Sequence, residues 1–410
     1  MSRALFWLYV ERLGFAGVLL LAFCLPLTTS PAEILFPVCA AITVVTPSLR
    51  RRLRALLSQP TVQALCGLFL VLCIGSLYTE ASVFEVVSLI KKYSRYVVGI
   101  FLFPYFINDN RRELTLNAFL LAIGVTVVMA YAKVYGGLPV GEHFKDGSVF
   151  KDHIQTSFCL LVGLIILSYR WLYQTEWRQL HLVAIGAIVF QLFFLSSGRS
   201  GYVLFALLAV IGLLKRYRWR GLFLGMAAVA VMSLSLYQFS SIFHFRVEST
   251  QQEITKYQEG DSYTSTGERF SFLKQSLKLV RERPLLGSGT GSFLRVYQRM
   301  EPVSAHWTEN PHNEYLHLTV QVGILGFLAL IAVFWAPWYQ SAGWDEGPRF
   351  LIRALVLLVA MGCTINSWLL DTTEGHTYVF MLAVLCGVKR QPKPVPSSTT
   401  AQSPPVLEPH

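Results

Sequence analysis

The chain has 410 residues, 53% of them hydrophobic and only 14% charged, with a formal net charge of +11. That is too apolar for a water-soluble chain of this length, and its apolar runs are continuous where the strands of a β-barrel would alternate. The expected fold class is an all-α polytopic membrane protein, whose basic excess marks loops on one side of a bilayer rather than a nucleic-acid surface.

Windowed apolarity gives about twelve spans, near 8–26, 31–47, 62–79, 94–107, 114–135, 154–173, 180–196, 200–215, 220–239, 314–335, 351–369 and 374–388. The first apolar run, Leu13–Leu27, lacks a small-residue cleavage site and reads as a retained span. With the N-terminus in the cytoplasm, the inner connections carry Arg50, Arg51, Arg52 and Arg54, then Arg111 and Arg112, Arg170 and Arg178, and Lys215, Arg216, Arg218 and Arg220. Arg349, Arg353, Lys389, Arg390 and Lys393 follow on the same side, whereas the outer connection 26–31 has no Lys or Arg. The chain then divides into spans 1–9 (1–239), a periplasmic loop domain (240–312), spans 10–12 (313–388) and a Pro- and Ser-rich tail (389–410) expected to be disordered in the cytoplasm. All seven Cys lie in apolar runs and read as packing residues, with no disulfide framework or Cys-based metal site.

Against this topology some charges stand on the unexpected side. In chain order the first are Lys91, Lys92 and Arg95, within SVFEVVSLIKKYSRYVVG (82–99). Val83, Val86, Val87 and Ile90 recur at helical spacing, so 80–92 reads as an interfacial helix on the outer face leading into the fourth span. Its basic end suits anionic lipid headgroups or a substrate equally. Next, Arg199 lies in LSSGRSGY (195–202), a tight outer turn rich in small residues that allow close approach of a ligand to the backbone. A charge at that depth is either functional or a snorkelling helix-end arginine.

In the loop domain, TGERFSFLKQSLKLVRERP (266–284) has Phe270, Leu273, Leu277 and Val280 every three or four residues, a helix opened by Arg269 and ended by Pro284. LLGSGTGSF (285–293) follows. Without a P-loop lysine it reads better as a turn seating the loop on the membrane than as a phosphate cradle. Finally, in ENPHNEYLHL (309–318), Asn310 reads as an N-cap and Pro311 as the first helical residue, placing His312 in the first helical turn at the membrane surface. A helix start disfavours imidazolium, so His312 is either a neutral general base or a capping residue, while His317 reads as structural. No HExxH, DxD or nucleotide-binding motif occurs, so no metal or nucleotide cofactor is expected. The expected substrate is an anionic, lipid-borne one, since arginine forks suit diphosphate and a stabilised diphosphate leaves well.

In order and spacing, SSGRSGY, STGERFSFLKQSL, RPLLGSGTGSF and NPHNEYLHL resemble the O-antigen ligase family, within the wider group of O-antigen polymerases and protein O-oligosaccharyltransferases. The resemblance implies a bacterial inner-membrane glycosyltransferase working at the periplasmic face. Its donor would be a glycan on undecaprenyl diphosphate and its acceptor a sugar of lipid A core. It implies His312 as general base, Arg199 and Arg269 as diphosphate ligands, and Lys91, Lys92 and Arg95 as auxiliary donor contacts, in one inverting displacement. A polymerase is the nearest alternative, although such enzymes often carry two large periplasmic loops. A protein O-oligosaccharyltransferase is next, and a lipid or solute transporter is the alternative from another class.

Overall fold

A computed structural model describes residues 3–140, 146–261, 263–300 and 307–388, so Lys389, Arg390, Lys393 and the whole 389–410 tail lie outside the described residues. The described residues are all-helical, with no strand. In chain order the helices are α1 (Arg3–Cys24), α2 (Ser30–Val45), α3 (Pro47–Leu56), α4 (Pro60–Gly75), α5 (Val83–Ile100), α6 (Asp109–Gly136), α7 (His153–Tyr173) and α8 (Arg178–Phe190). They continue as α9 (Arg199–Tyr217), α10 (Trp219–Phe239), α11 (Ser241–Gln258), α12 (Ser265–Glu282), α13 (Phe293–Met300), α14 (Glu314–Gln340), α15 (Glu346–Gly362) and α16 (Thr372–Cys386).

Seven helices are long and apolar enough to cross a membrane, counting α8 together with the π-helical turn Gln191–Leu195 that continues it, and an eighth crossing forms if α2 and α3, bent by 100° at Thr46, count as one. The twelve expected spans are therefore not all matched by helices of spanning length. The 15 residues of α16 extend only about 22 Å against a hydrocarbon core of about 30 Å. Nevertheless α16 is the most enclosed element, with every residue from Thr373 to Cys386 buried, whereas α10 leaves Val231, Leu234 and Phe239 exposed. An apolar helix buried all round forms the centre of a bundle, and an exposed apolar face suits lipid. Of the cysteines, Cys39, Cys159, Cys363 and Cys386 are buried as expected, but Cys66 is exposed on α4.

Two local expectations change, and a third helix gains an orientation. The interfacial helix and the fourth span are one continuous helix, α5, because nothing between Ile90 and Val98 breaks it. Its start is fixed by a capping box between Ser82 and Glu85. The span expected at 351–369 stops at Gly362, and residues 363–371 form a polar turn. On α12 the predicted apolar stripe is outermost, with Phe270, Leu273 and Leu277 exposed, and the inner face carries Phe272, Ser276 and Leu279. Phe272 and Leu279 join Phe293, Val296 and Tyr297 of α13 and Val320 of α14 in a small core that fixes 240–312 to the bundle.

That fixation is completed by the glycine loop. Helix α14 is broken at Val322 and Gly323, whose φ values are −125° and +61°. Ser288 N donates to Val320 O at 3.0 Å and Gly289 N to Gln321 O at 2.7 Å, while Ile324 N donates to Pro284 O at 2.9 Å. Thr290 reaches α4, its N donating to Gly75 O at 3.0 Å and its Oγ1 to Leu72 O at 2.7 Å. The loop thus supplies the hydrogen bonds that the broken helix lacks, as buried backbone requires. Its N–H groups are engaged with α4 and α14, so the loop seats its segment on these helices and is not a free phosphate cradle.

At the opposite end of the bundle, Glu11 is paired with Arg52 at 2.9 Å and Arg111 at 3.1 Å, and Glu113 with Arg112 at 2.9 Å and Arg170 at 3.2 Å. Several of the basic residues that marked one side therefore also tie helices together.

Candidate active site

His312 does not lie in a helical turn. It has φ +52°, and α14 begins two residues later with Asn313 as N-cap, whose Oδ1 accepts from Leu316 N at 3.0 Å. Left-handed backbone at a non-glycine residue costs about 1–2 kcal/mol and cannot start a right-handed helix, which moves the cap from Asn310 to Asn313. Asn310 instead folds the turn: its Oδ1 accepts from His312 N at 2.9 Å and from Ser367 Oγ at 2.5 Å.

The imidazole is held on one edge. His312 Nδ1 lies 2.8 Å from Asn366 Oδ1, and Asn366 Nδ2 donates to Asp371 Oδ2 at 3.1 Å. A carboxylate only accepts, so it turns the amide nitrogen of Asn366 toward itself and the amide oxygen toward the ring. Nδ1 then carries the proton, and Nε2 keeps its lone pair. Phe272 of α12 stacks on the ring with centroids 6.1 Å apart.

Burial lowers the pKa of His312 below its usual 6.5. The hydrogen bond that Nδ1–H donates to Asn366 Oδ1 opposes that shift, and the charge of Arg269 adds to it. The ring is thus neutral near pH 7. The helix dipole is not needed for this, although it had been the expected cause.

The turn that carries Asn366 and Asp371 is clamped from two helices. Arg95 Nη1 donates to Asp371 O at 2.6 Å, Tyr96 Oη to Leu369 O at 2.7 Å, and Leu370 N to Glu314 Oε2 at 3.3 Å. Burial raises the Asp371 carboxyl to about 6, against the pull of Arg95 and Lys92, so it is ionised at neutral pH.

The two arginines meet on the other flank. Arg199 is the first residue of α9, where its Nη1 pairs with Glu253 Oε2 at 3.0 Å and bonds Thr250 Oγ1 at 2.9 Å and Thr266 Oγ1 at 3.3 Å. Burial works against the Glu253 carboxylate, but hydrogen bonds from Thr266 and Arg199 outweigh it and hold its pKa low. Arg269 lies in the second turn of α12, which starts at Ser265, and does not open the helix. It has no hydrogen-bonded partner among the described residues. Burial and the neighbouring Arg199 charge both press its pKa down, with Glu253 only partly offsetting them. A half-buried guanidinium, only partly compensated by Glu253 and next to a second guanidinium, suits an anion with several oxygens.

The structure therefore brings His312, Arg199 and Arg269 together. It separates Lys91, Lys92 and Arg95. Lys91 is exposed, and Arg95 is buried against the carbonyls of Lys92 and Asp371. Lys92 faces a cavity of about 320 Å³ that also borders Asn310, Gln155, His317, Gln321 and Asp371, but not His312, Arg199 or Arg269. His317 is buried, with Gln321 Nε2 3.0 Å from its Nε2. Asn366, Asp371 and Glu253 were missed in the sequence. The polar break INSWLLDTTEG (365–375) between two apolar runs, on the side of His312, was the signal available for the first two.

Residues 184–331 match the family model described as O-Antigen ligase. The chain is also 28% identical over 155 residues to an uncharacterized protein of Haemophilus influenzae, a match covering 35% of this chain and only 38% of that relative. The family match includes Arg199, Arg269, the glycine loop and His312, the parts that the fold assembles at one end of the bundle. Over those residues, about a third of its length, the chain is similar to the O-antigen ligase family.

Proposed function

We propose that the protein is an inner-membrane glycosyltransferase acting at the periplasmic face, which moves a glycan from undecaprenyl diphosphate to a sugar hydroxyl of lipid A core. The observation that carries this reading is the neutral His312, fixed through Nδ1 and open at Nε2, beside the partly compensated Arg269. Nε2 takes the proton of the acceptor hydroxyl as its oxygen bonds to the anomeric carbon. The bond from that carbon to the diphosphate oxygen breaks on the opposite face, so the centre inverts. The electron pair leaves with the diphosphate, whose growing charge Arg269 and Arg199 stabilise. Arg199 shares its Nη1 with Glu253, Thr250 and Thr266, which orients the fork. Lys92 faces the neighbouring cavity, and Arg95 braces the Asp371 turn.

The test is transfer by the purified enzyme from undecaprenyl-diphosphate glycan, with lipid A core or with donor alone, in excess EDTA and without nucleotide. The expected product is larger lipopolysaccharide. Longer donor-linked glycan would make the protein a polymerase. Passage of labelled substrate through proteoliposomes without glycan joining would make it a transporter.

A further inference from the structure

The cavity beside His312 is a separate structural unit from the arginine flank, and the transfer reading leaves it without a role. We propose that it is the subsite for the accepting saccharide; the proposal rests on that reading. Two links join the cavity to the base. Asn310, on its wall, holds His312 N at 2.9 Å, and Asp371, also on its wall, holds Asn366 at 3.1 Å and through it the ring. The arginines reach His312 from α9 and α12, whereas the cavity walls come from α5, α7, α13, α14 and the turns before α14 and α16.

The lining chemistry excludes a second diphosphate site. Lys92 is the one cation on the lining, where Glu309 and Asp371 outnumber it and Glu85 is already paired with Arg295 at 2.9 Å, so the walls offer a doubly charged anion no guanidinium fork. Ser88, Gln155, Asn310 and Gln321 add donors and acceptors for hydroxyl groups, while Phe84, Leu89, Phe293 and Leu294 offer apolar surface to the C–H faces of a sugar ring. That mixture of carboxylates, amides and aromatic surface fits a neutral polyol. The volume of about 320 Å³ lies at the small end for ligand sites, sufficient for the end of a glycan and too small for a lipid chain. On its rim the first turn of α5 leaves Val83 and Phe84 80% and 82% exposed in an apolar strip, along which a lipid-borne acceptor can bring its sugar.

Two variants fill the cavity from different walls of the full-length enzyme, Ser88→Trp on α5 and Leu294→Trp on α13. Three quantities are measured: affinity for undecaprenyl-diphosphate glycan, KM for lipid A core, and inhibition of transfer by lipid-free core oligosaccharide. The expected result is donor affinity near wild type, which also reports correct folding, with acceptor KM and the inhibition constant both raised at least ~10-fold, the equivalent of about 1.4 kcal/mol. Unchanged acceptor KM and inhibition in a variant that binds donor normally would overturn the proposal, and so would a loss confined to donor affinity. Should wild type join no glycan at all, the transfer reading fails on its own. Saturation-transfer NMR with core oligosaccharide, comparing wild type and Ser88→Trp, then judges the cavity: binding lost in the variant supports a saccharide site, and equal or absent binding refutes it.

Discussion

The His312 ring is positioned by an amide whose own orientation is dictated by a carboxylate, and the chemistry expected of the ring depends on that order of causes. His312→Ala should keep donor binding and reduce transfer by ~10²–10⁴-fold, the range for general-base catalysis. A normal single-turnover rate with weaker acceptor binding would show the ring to be a positioning group instead. Because the pKa of His312 is lowered, the base is free above that value, and transfer should fall only as pH drops below 6.5. Asp371 protonates in the same region, near 6, and then no longer enforces the amide orientation. Asn366→Asp places a second carboxylate against Nδ1, favours imidazolium, and should move the acid limb of the pH–rate profile upward. Nitrogen-15 NMR of the imidazole should show the Nδ1–H tautomer in wild type, and an Nε2–H signal would contradict the assignment. Arg199→Lys should lose most transfer despite keeping its charge, since an ammonium cannot make the forked contact; near-normal rates would reduce Arg199 to a generic positive charge. His312 and Arg199 were legible in the sequence because each is a charge or titratable ring standing at the edge of an apolar run, and Arg269 because the family resemblance singles it out. Asn366 was not, because it is neutral and hydropathy averaging carried the neighbouring span through it to 369.

At the scale of elements, apolar runs located the helices well and their ends poorly. A hydropathy window registers composition, whereas ends are set by single side chains, as Ser82 and Glu85 do for α5 and Asn313 for α14. The apolar stripe of α12 located its helix but not its orientation, because periodicity identifies a face and not what covers it. The glycine loop is the element whose conformation is most constrained. Gly289 has φ +92°, and a Cβ there would strike the backbone of Thr79. Gly289→Ala should therefore destabilise the protein by about 1–3 kcal/mol, read as a lower thermal unfolding midpoint in detergent. Gly67→Ala on α4, where an added Cβ meets nothing within 4 Å, is the matched control and should leave the midpoint unchanged or slightly raised.

For the whole molecule, composition was enough to give an all-helical membrane chain, but not the number of crossings. Short, deeply enclosed helices such as α16 are as apolar as true spans, and length distinguishes them only once their ends are known. The orientation is open to direct test: in a Cys-free background an impermeant maleimide applied to intact spheroplasts should label Gln258→Cys and spare Arg51→Cys, and the reverse pattern would invert the protein in the membrane. The join between the glycine loop and the break in α14 also bears on how the chain is made. Carbonyls at 320 and 321 find their partners at 288 and 289, and Thr290 needs α4, which is synthesised more than 200 residues earlier. During insertion, α4 must therefore wait, unmatched on that side, until α14 has been delivered. Truncations ending between 240 and 320 should for that reason be substrates for membrane proteases, while chains extended past 340 should survive.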